Sequence, residues 1–307
     1  MTPDAFTNQE FFLNVGDSHQ LYVQDWGQSK TSTPIIFLHG GPGSQCKDRH
    51  KTLFDPTRQR VIFHDQRGAG QSLPYGLLEH NTTQDLVADI EKLADHLQLQ
   101  QFILTGGSWG SSLAFYYAIA HPHRVKAMVL DGVLTLAQDE IDWISKGRFQ
   151  TFFPEAWATF LAATPKSQQT NAMSYHLKRI LGKDSEAAKA SGYVYQNLEG
   201  ALIRLDDRFS PENFDDYDHT GTRIEAHYIA HHAFVPDRYV FKNTSKLTMP
   251  IWLVQGRYDI IAPPLIAYEL DQALPNSQLI WTVSGHADSR EAWNIKRTLF
   301  LQLAKEQ

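Results

Sequence analysis

One cysteine, Cys46, is all that the 307 residues contain, so no internal disulfide can form, which agrees with a reducing compartment. No obvious histidine partner accompanies it, and it reads as a small filler residue and not as a reactive thiol. Positive charge is also short. The 28 Lys and Arg against 34 Asp and Glu give a formal charge of −6, without the basic blocks that phosphate backbones or anionic membranes require. This balance argues against nucleic acid as a partner. No stretch approaches the roughly 18 consecutive apolar residues of a membrane span. The opening Met1-Thr-Pro-Asp-Ala-Phe-Thr-Asn-Gln-Glu10 lacks both the basic and the apolar region of an export signal. The expectation is a soluble, unexported, cytoplasmic protein without a membrane partner. Internal repeats and low-complexity tracts are missing too. What the chain does have is apolar residues, 42% of its length, enough to bury a large core in one sizeable catalytic domain carrying a second, inserted or appended one.

Three short apolar runs in the first third, Pro34-Ile-Ile-Phe-Leu-His39, Arg60-Val-Ile-Phe-His64 and Gln101-Phe-Ile-Leu-Thr105, have the length and β-branched or aromatic content of buried parallel strands. Between the last two, Thr82 with Asp85 resembles a capping box, and Leu86, Ile90, Leu93 and Leu97 recur at helical spacing. Strand, helix and strand imply a right-handed crossover in a parallel sheet. A helix over 109–120 and a strand at Ala127-Met-Val-Leu130 follow, and the next strand comes only at Pro250-Ile-Trp-Leu-Val254. The stretch between lacks a strand pattern but carries aromatic-rich helical segments such as Glu140-Ile-Asp-Trp143 and Phe152-Phe-Pro-Glu-Ala-Trp157. It reads as a helical cap. The expected division is a first core part over 1–134, the cap over 135–248 and a second core part over 249–307, closing with a strand at Gln278-Leu-Ile-Trp-Thr-Val283 and a helix over 290–304.

Gly106-Gly-Ser-Trp-Gly110 matches G-x-S-x-G and stands after an expected strand and before an expected helix, where a nucleophile elbow belongs. That placement marks Ser108 as the candidate nucleophile. A serine hydroxyl needs a base to take its proton at neutral pH, and histidine suits the task. His286, in Ser284-Gly-His-Ala287 after the last strand, is the candidate base, and Asp259, after the preceding strand, the acid that orients it. The order Ser, Asp, His is that of the α/β-hydrolase fold, an α/β class of mostly parallel sheet flanked by helices. For the oxyanion, the backbone N–H of Trp109 follows the nucleophile, and Gly41 in His39-Gly-Gly-Pro-Gly43 is the candidate second donor.

His227 and His231, four apart on an expected helix, could bind a metal with His232, but no carboxylate or thiolate partner is suggested, and no metal or other cofactor is expected. Asp65-Gln-Arg-Gly68 lies on a loop at the same sheet edge, as a structural turn or ion pair or as part of the site wall.

With these residues in place, the chain resembles the proline iminopeptidases, also called prolyl aminopeptidases. The resemblance rests on His39-Gly-Gly-Pro-Gly43, Asp65-Gln-Arg-Gly68, Asn81-Thr-Thr83 with Leu86-Val-Ala-Asp-Ile-Glu91, Gly106-Gly-Ser-Trp-Gly-Ser111, Phe153-Pro-Glu-Ala-Trp157 and Arg223-Ile-Glu-Ala-His-Tyr228, which span nearly the whole chain. It implies a metal-free serine peptidase that removes N-terminal proline from small peptides with a free N-terminus. It also implies that Glu199 and Glu225 hold the substrate's amino group. A secondary ammonium in a dry pocket does need opposing carboxylates. The chain departs from the family's usual pattern in four places. Tyr195 and Leu198 stand where tryptophans are common, and Asp131 with Leu134 stands where the family often has arginine and an aromatic. Asp131 is expected to reinforce a preference for a cation. The expected reaction is release of an N-terminal proline, or a similarly small residue, from short peptides through an acyl-enzyme, and the alternative is an esterase or amidase on the same scaffold acting on small substrates. Epoxide hydrolases and haloalkane dehalogenases are disfavoured because they place aspartate at the nucleophile.

Overall fold

The apolar runs form the middle of an eight-stranded sheet in the computed structural model, which describes residues 9–27, 32–205, 209–287 and 289–304. In chain order the strands are β1 (Gln9–Gly16), β2 (His19–Gly27), β3 (Ile35–Leu38), β4 (Arg60–His64), β5 (Phe102–Gly107), β6 (Val125–Asp131), β7 (Ile251–Gly256) and β8 (Ser277–Thr282), lying in the order β1-β2-β4-β3-β5-β6-β7-β8. The pairs β1–β2 and β2–β4 are antiparallel and every pair from β4 to β8 is parallel. The leading hairpin is an addition to the expected strands. β2 alternates buried and accessible residues along His19-Gln-Leu-Tyr-Val-Gln-Asp-Trp-Gly, a half-buried pattern without the continuous apolar run of β3 or β5.

The helices are α1 (Asp48–Lys51), α2 (Thr83–His96), α3 (Trp109–Ala120), α4 (Gln138–Ser145), α5 (Pro154–Ala162), α6 (Ala172–Ile180), α7 (Ser185–Leu202), α8 (Thr220–Ala230), α9 (Pro264–Ala273) and α10 (Arg290–Leu303). Because successive strand residues point to opposite faces, Leu38, Leu104, Met128 and Leu253 share one core with Leu86 of α2, Leu113 of α3 and Ile266 of α9. Phe37, Ile103, Val129 and Val254 share the other with Phe300 of α10. α2 starts in the expected capping box: Thr82 Oγ1 accepts from Asp85 N at 3.3 Å, and Asp85 Oδ2 accepts from Thr82 N at 2.9 Å. Such a cap contributes about 1 kcal/mol.

Between β6 and β7 the described chain is helical, and α4 to α8 enclose a third core that includes Phe149, Phe160, Met173, Tyr195 and Leu198. Trp143 Nε1 donates to Ile260 O at 2.8 Å, which ties α4 to the loop after β7. The returning chain joins the sheet-face core through Val240, Leu247 and Met249 before β7 begins. Among the described residues no helix is long and apolar enough to cross a membrane. Residues 1–8, which carry most of the expectation about export, lie outside the described residues.

Candidate active site

The parallel strands run to one common edge, where β5 ends in a tight turn. Ser108 sits there at φ 56 and ψ −130, a positive φ that non-glycine residues rarely adopt. Gly110 lets the turn lie against β3, since a Cβ there would come within 2.2 Å of Leu38 O. α3 begins at Trp109, so the N-terminal amides of a helix stand beside the serine, where they favour developing negative charge.

His286 and Asp259 face this turn from the loops after β8 and β7. His286 Nδ1 lies 3.0 and 2.8 Å from the two Asp259 oxygens, and both side chains are buried. Asp259 is fixed in turn: Oδ1 accepts from Ala262 N at 2.8 Å and Oδ2 from Gln255 Nε2 at 3.1 Å. With its Nδ1 proton donated to a carboxylate, the imidazole presents Nε2 as an acceptor. Burial alone would lower the His286 pKa, but the charge and hydrogen bond of Asp259, helped by Asp131 and Glu199, raise it above the ordinary histidine value. Ser108, His286 and Asp259 line a shared cavity of about 200 Å3. Asp131 lines it too, and pairs with the nearly buried Lys296 of α10 at 2.7 Å. The expectation that Asp131 reinforces a preference for a cation is therefore corrected. Its charge is met by lysine and acts on His286.

The loop His39-Gly-Gly-Pro-Gly43 reaches the serine from β3. Gly41 has φ 111, and a Cβ on it would stand 2.7 Å from Gly43 N, so a side chain is excluded by both conformation and space. Gln66 braces the loop. Its backbone N–H donates to His39 Nε2 at 2.9 Å, its Nε2 donates to His39 O at 2.9 Å, and its Oε1 accepts from Trp109 Nε1 at 2.7 Å. Burial lowers the His39 pKa, which keeps the ring neutral and able to accept. Arg67 is fully buried and forks onto Asp89 at 2.6 and 2.8 Å. Of the two roles open to Asp65-Gln-Arg-Gly68, the structure has the structural one, for none of the four lines either cavity at Ser108.

A second cavity of about 550 Å3 opens from Ser108 into the helical segment. Gly41, Ser108 and Trp109 line it on the sheet side, and Tyr195 and Glu199 of α7 with Glu225 of α8 on the other. Tyr195 donates to Glu225 Oε1 at 2.9 Å and lies 3.3 Å from Glu199 Oε1. Burial pushes both carboxyls up, and each acts on the other. Such a pair holds one proton between its members unless a cation balances both charges.

All seven expected site residues thus come together around Ser108. Of the four departures, Leu134 and Tyr195 line the large cavity, whereas Leu198 is buried in the core of the helical segment and faces a separate groove. Glu140, absent from the sequence-based candidates, also lines the large cavity. Its carboxylate accepts from Thr135 N at 3.0 Å, from Ala137 N at 2.9 Å and from the Thr135 hydroxyl, and burial raises its pKa to about 7. The signal was a Glu three residues after Ala137 at a helix start, a box without its usual Ser or Thr. Elsewhere, His227 Nε2 lies 3.1 Å from Asn81 O and His231 Nδ1 2.7 Å from His227 O. Among the described residues no group of three or more His, Cys, Asp or Glu is arranged to hold a metal.

Residues 33–287 match the alpha/beta hydrolase fold family. A proline iminopeptidase of Arabidopsis thaliana is 38% identical over 282 residues, 87% of this chain and 72% of that one. One from Xylella fastidiosa (strain Temecula1) is 36% identical over 95% of both chains, and one from Neisseria gonorrhoeae 34% identical over 90% of this chain and 89% of that one. Among solved structures, a proline iminopeptidase of Mycobacterium smegmatis superposes with TM-score 0.62 at 19% identity, over 97% of this chain and 99% of that one. An α/β-hydrolase from a deep-sea metagenome superposes with TM-score 0.64 at 18% identity, over 97% and 98%. The structural matches speak for the fold, and the sequence relatives place the chain within it: this protein belongs to the proline iminopeptidases of the α/β-hydrolase fold.

Proposed function

We propose that this protein is a serine aminopeptidase that releases N-terminal proline from short peptides through an acyl-enzyme. The observation that carries it is one cavity with Ser108 at its floor and two buried glutamates on its far wall. A pair of buried carboxylates is costly unless a cation meets it, and the free N-terminus of a peptide brings that cation. In this reading Glu199 and Glu225 hold the ammonium, and the scissile carbonyl oxygen takes hydrogen bonds from Trp109 N and Gly41 N. Ser108 Oγ attacks the carbonyl carbon as its proton passes to His286 Nε2, and Asp259 balances the imidazolium. Collapse breaks the C–N bond, and His286 returns the proton to the leaving amine. Water then attacks the acyl carbon while His286 takes one of its protons. The bond to Ser108 breaks, Oγ recovers the proton, and free proline departs.

Residues 135–248 serve as the cap that reads the amine, and 1–134 with 249–307 as the core that does the chemistry. The single cysteine, which can form no internal disulfide, supports a cytoplasmic site of action. An esterase for neutral substrates gains nothing from the glutamate pair. The test is turnover of a prolyl arylamide beside its alanyl and N-acetyl-prolyl analogues. Prolyl is expected to turn over fastest of the three, and N-acetylation to abolish the reaction by removing the charge. Equal rates with and without the acetyl group would overturn the aminopeptidase assignment.

A further inference from the structure

Proline's ammonium has two N–H donors, and Glu199 and Glu225 provide a carboxylate for each. Tyr195 brings a third polar group to the same spot. Its hydroxyl lies within hydrogen-bond distance of both glutamates and lines the cavity with them. A phenol that gives its one proton to a carboxylate keeps lone pairs with which to accept. Burial and the two neighbouring carboxylates hold that phenol well above its ordinary pKa, so it stays neutral and keeps its proton. A primary ammonium has three N–H donors. These point in three directions, and where the two carboxylates meet two of them, the Tyr195 hydroxyl beside both stands ready to accept the third.

The space beyond the amine site is also larger than a pyrrolidine ring needs. An apolar cavity of about 150 Å3 already holds benzene, and this one measures about 550 Å3. Part of that volume belongs to the scissile amide and the leaving peptide. Much of its wall is aliphatic, with Leu134, Ile141, Ile144, Met173, Leu177 and Ile229 contributing from the chain after β6 and from α4, α6 and α8. Such a wall rewards a longer apolar side chain in proportion to the area it covers.

We propose that this enzyme also releases N-terminal residues with a primary amine and a flexible aliphatic side chain, leucine and methionine foremost, with Tyr195 accepting the third N–H of their ammonium. This rests on the aminopeptidase reading above, and the bond chemistry is the same.

The test compares kcat/KM of wild type and Tyr195→Phe on prolyl, leucyl and N-methyl-leucyl arylamides. N-methylation keeps the leucine side chain while removing the third N–H. Wild type is expected to cleave the leucyl substrate within tenfold of the prolyl one. Tyr195→Phe is expected to lower all three, with the leucyl substrate losing roughly tenfold more than N-methyl-leucyl, as for a lost hydrogen bond to a charged group. A wild-type leucyl value below a tenth of the prolyl value overturns the proposal, as does an equal loss on leucyl and N-methyl-leucyl. The first of these comparisons needs no variant, so it decides even if Tyr195→Phe fails to fold. Absence of prolyl turnover would remove the aminopeptidase reading itself, whereas prolyl turnover without leucyl turnover removes only the broader substrate range.

Discussion

At the sheet edge, backbone conformation does the positioning. Ser108 is set by a positive φ between glycines, Gly41 by a loop no side chain fits, and His286 and Asp259 by two short loops after neighbouring strands. Across the cavity, Glu199 and Glu225 are ordinary helix residues, placed by how α7 and α8 pack and steadied by a tyrosine hydroxyl. The two regions differ in what they tolerate. A strained turn has one workable geometry, but a helix face can exchange side chains and keep its backbone. Reaction chemistry is thus held where change is hardest, and substrate choice where it is easiest.

Substitutions can break that division. The largest effect is expected at the sheet edge, where Ser108→Ala or His286→Ala should lower kcat/KM roughly 10⁴-fold or more on every substrate, because the triad acts as a unit. A Ser108→Ala protein keeping a tenth of wild-type rate on any substrate would end the assignment. Glu199→Gln and Glu225→Gln should cost prolyl arylamides about 2–4 kcal/mol of transition-state stabilisation, by analogy with breaking a desolvated charge pair. A small neutral ester should keep its rate in the same variants. Equal losses on amide and ester would mean that the glutamates support the fold and do not read the amine.

Two smaller effects sharpen the boundary between the regions. Glu140, at the start of α4, has a folded pKa of about 7 against an ordinary 4.5. The folded state therefore binds this proton more tightly than the unfolded one. Its contribution to stability is full below about pH 4.5 and is lost as pH rises through 7, by up to the order of 3 kcal/mol. Urea unfolding at pH 5 and pH 8 should show wild type losing more stability than Glu140→Gln over that interval. At the sheet edge, kcat/KM should fall on the acid side with a midpoint above the usual 6.5 of histidine, since only neutral His286 accepts the Ser108 proton. Asp131→Asn should move that midpoint down by a fraction of a unit, because one of the charges raising it is gone and the Lys296 cation is left unbalanced. A midpoint that moves up would reverse the sign assigned to Asp131.

The same division explains what could be read from the sequence. β3, β5 and β7 announce themselves because a strand buried on both faces needs a continuous apolar run, and the elbow because only glycines fit around it. The hairpin β1–β2 was harder to see, since a half-exposed strand dilutes its apolar signal with every second residue. In the helical segment, aromatic-rich helices were legible but not their packing. Nothing local to Tyr195 and Leu198 tells that one turns to the cavity and the other to the core. Asp131 misled for a related reason. Its partner Lys296 lies far along the chain on α10, and only the fold brings them together.

The backbone at Ser108 has one more consequence. A non-glycine residue at φ 56 and ψ −130 costs the folded state on the order of 1–3 kcal/mol, in every copy of the protein and at every moment, whether or not a peptide is at hand. Glycine would carry no such cost, so Ser108→Gly should melt at a higher temperature than Ser108→Ala, each being inactive. Stability given up at a strained working residue is the usual exchange for activity. The serine is a record of use, kept against the interest of the fold that holds it.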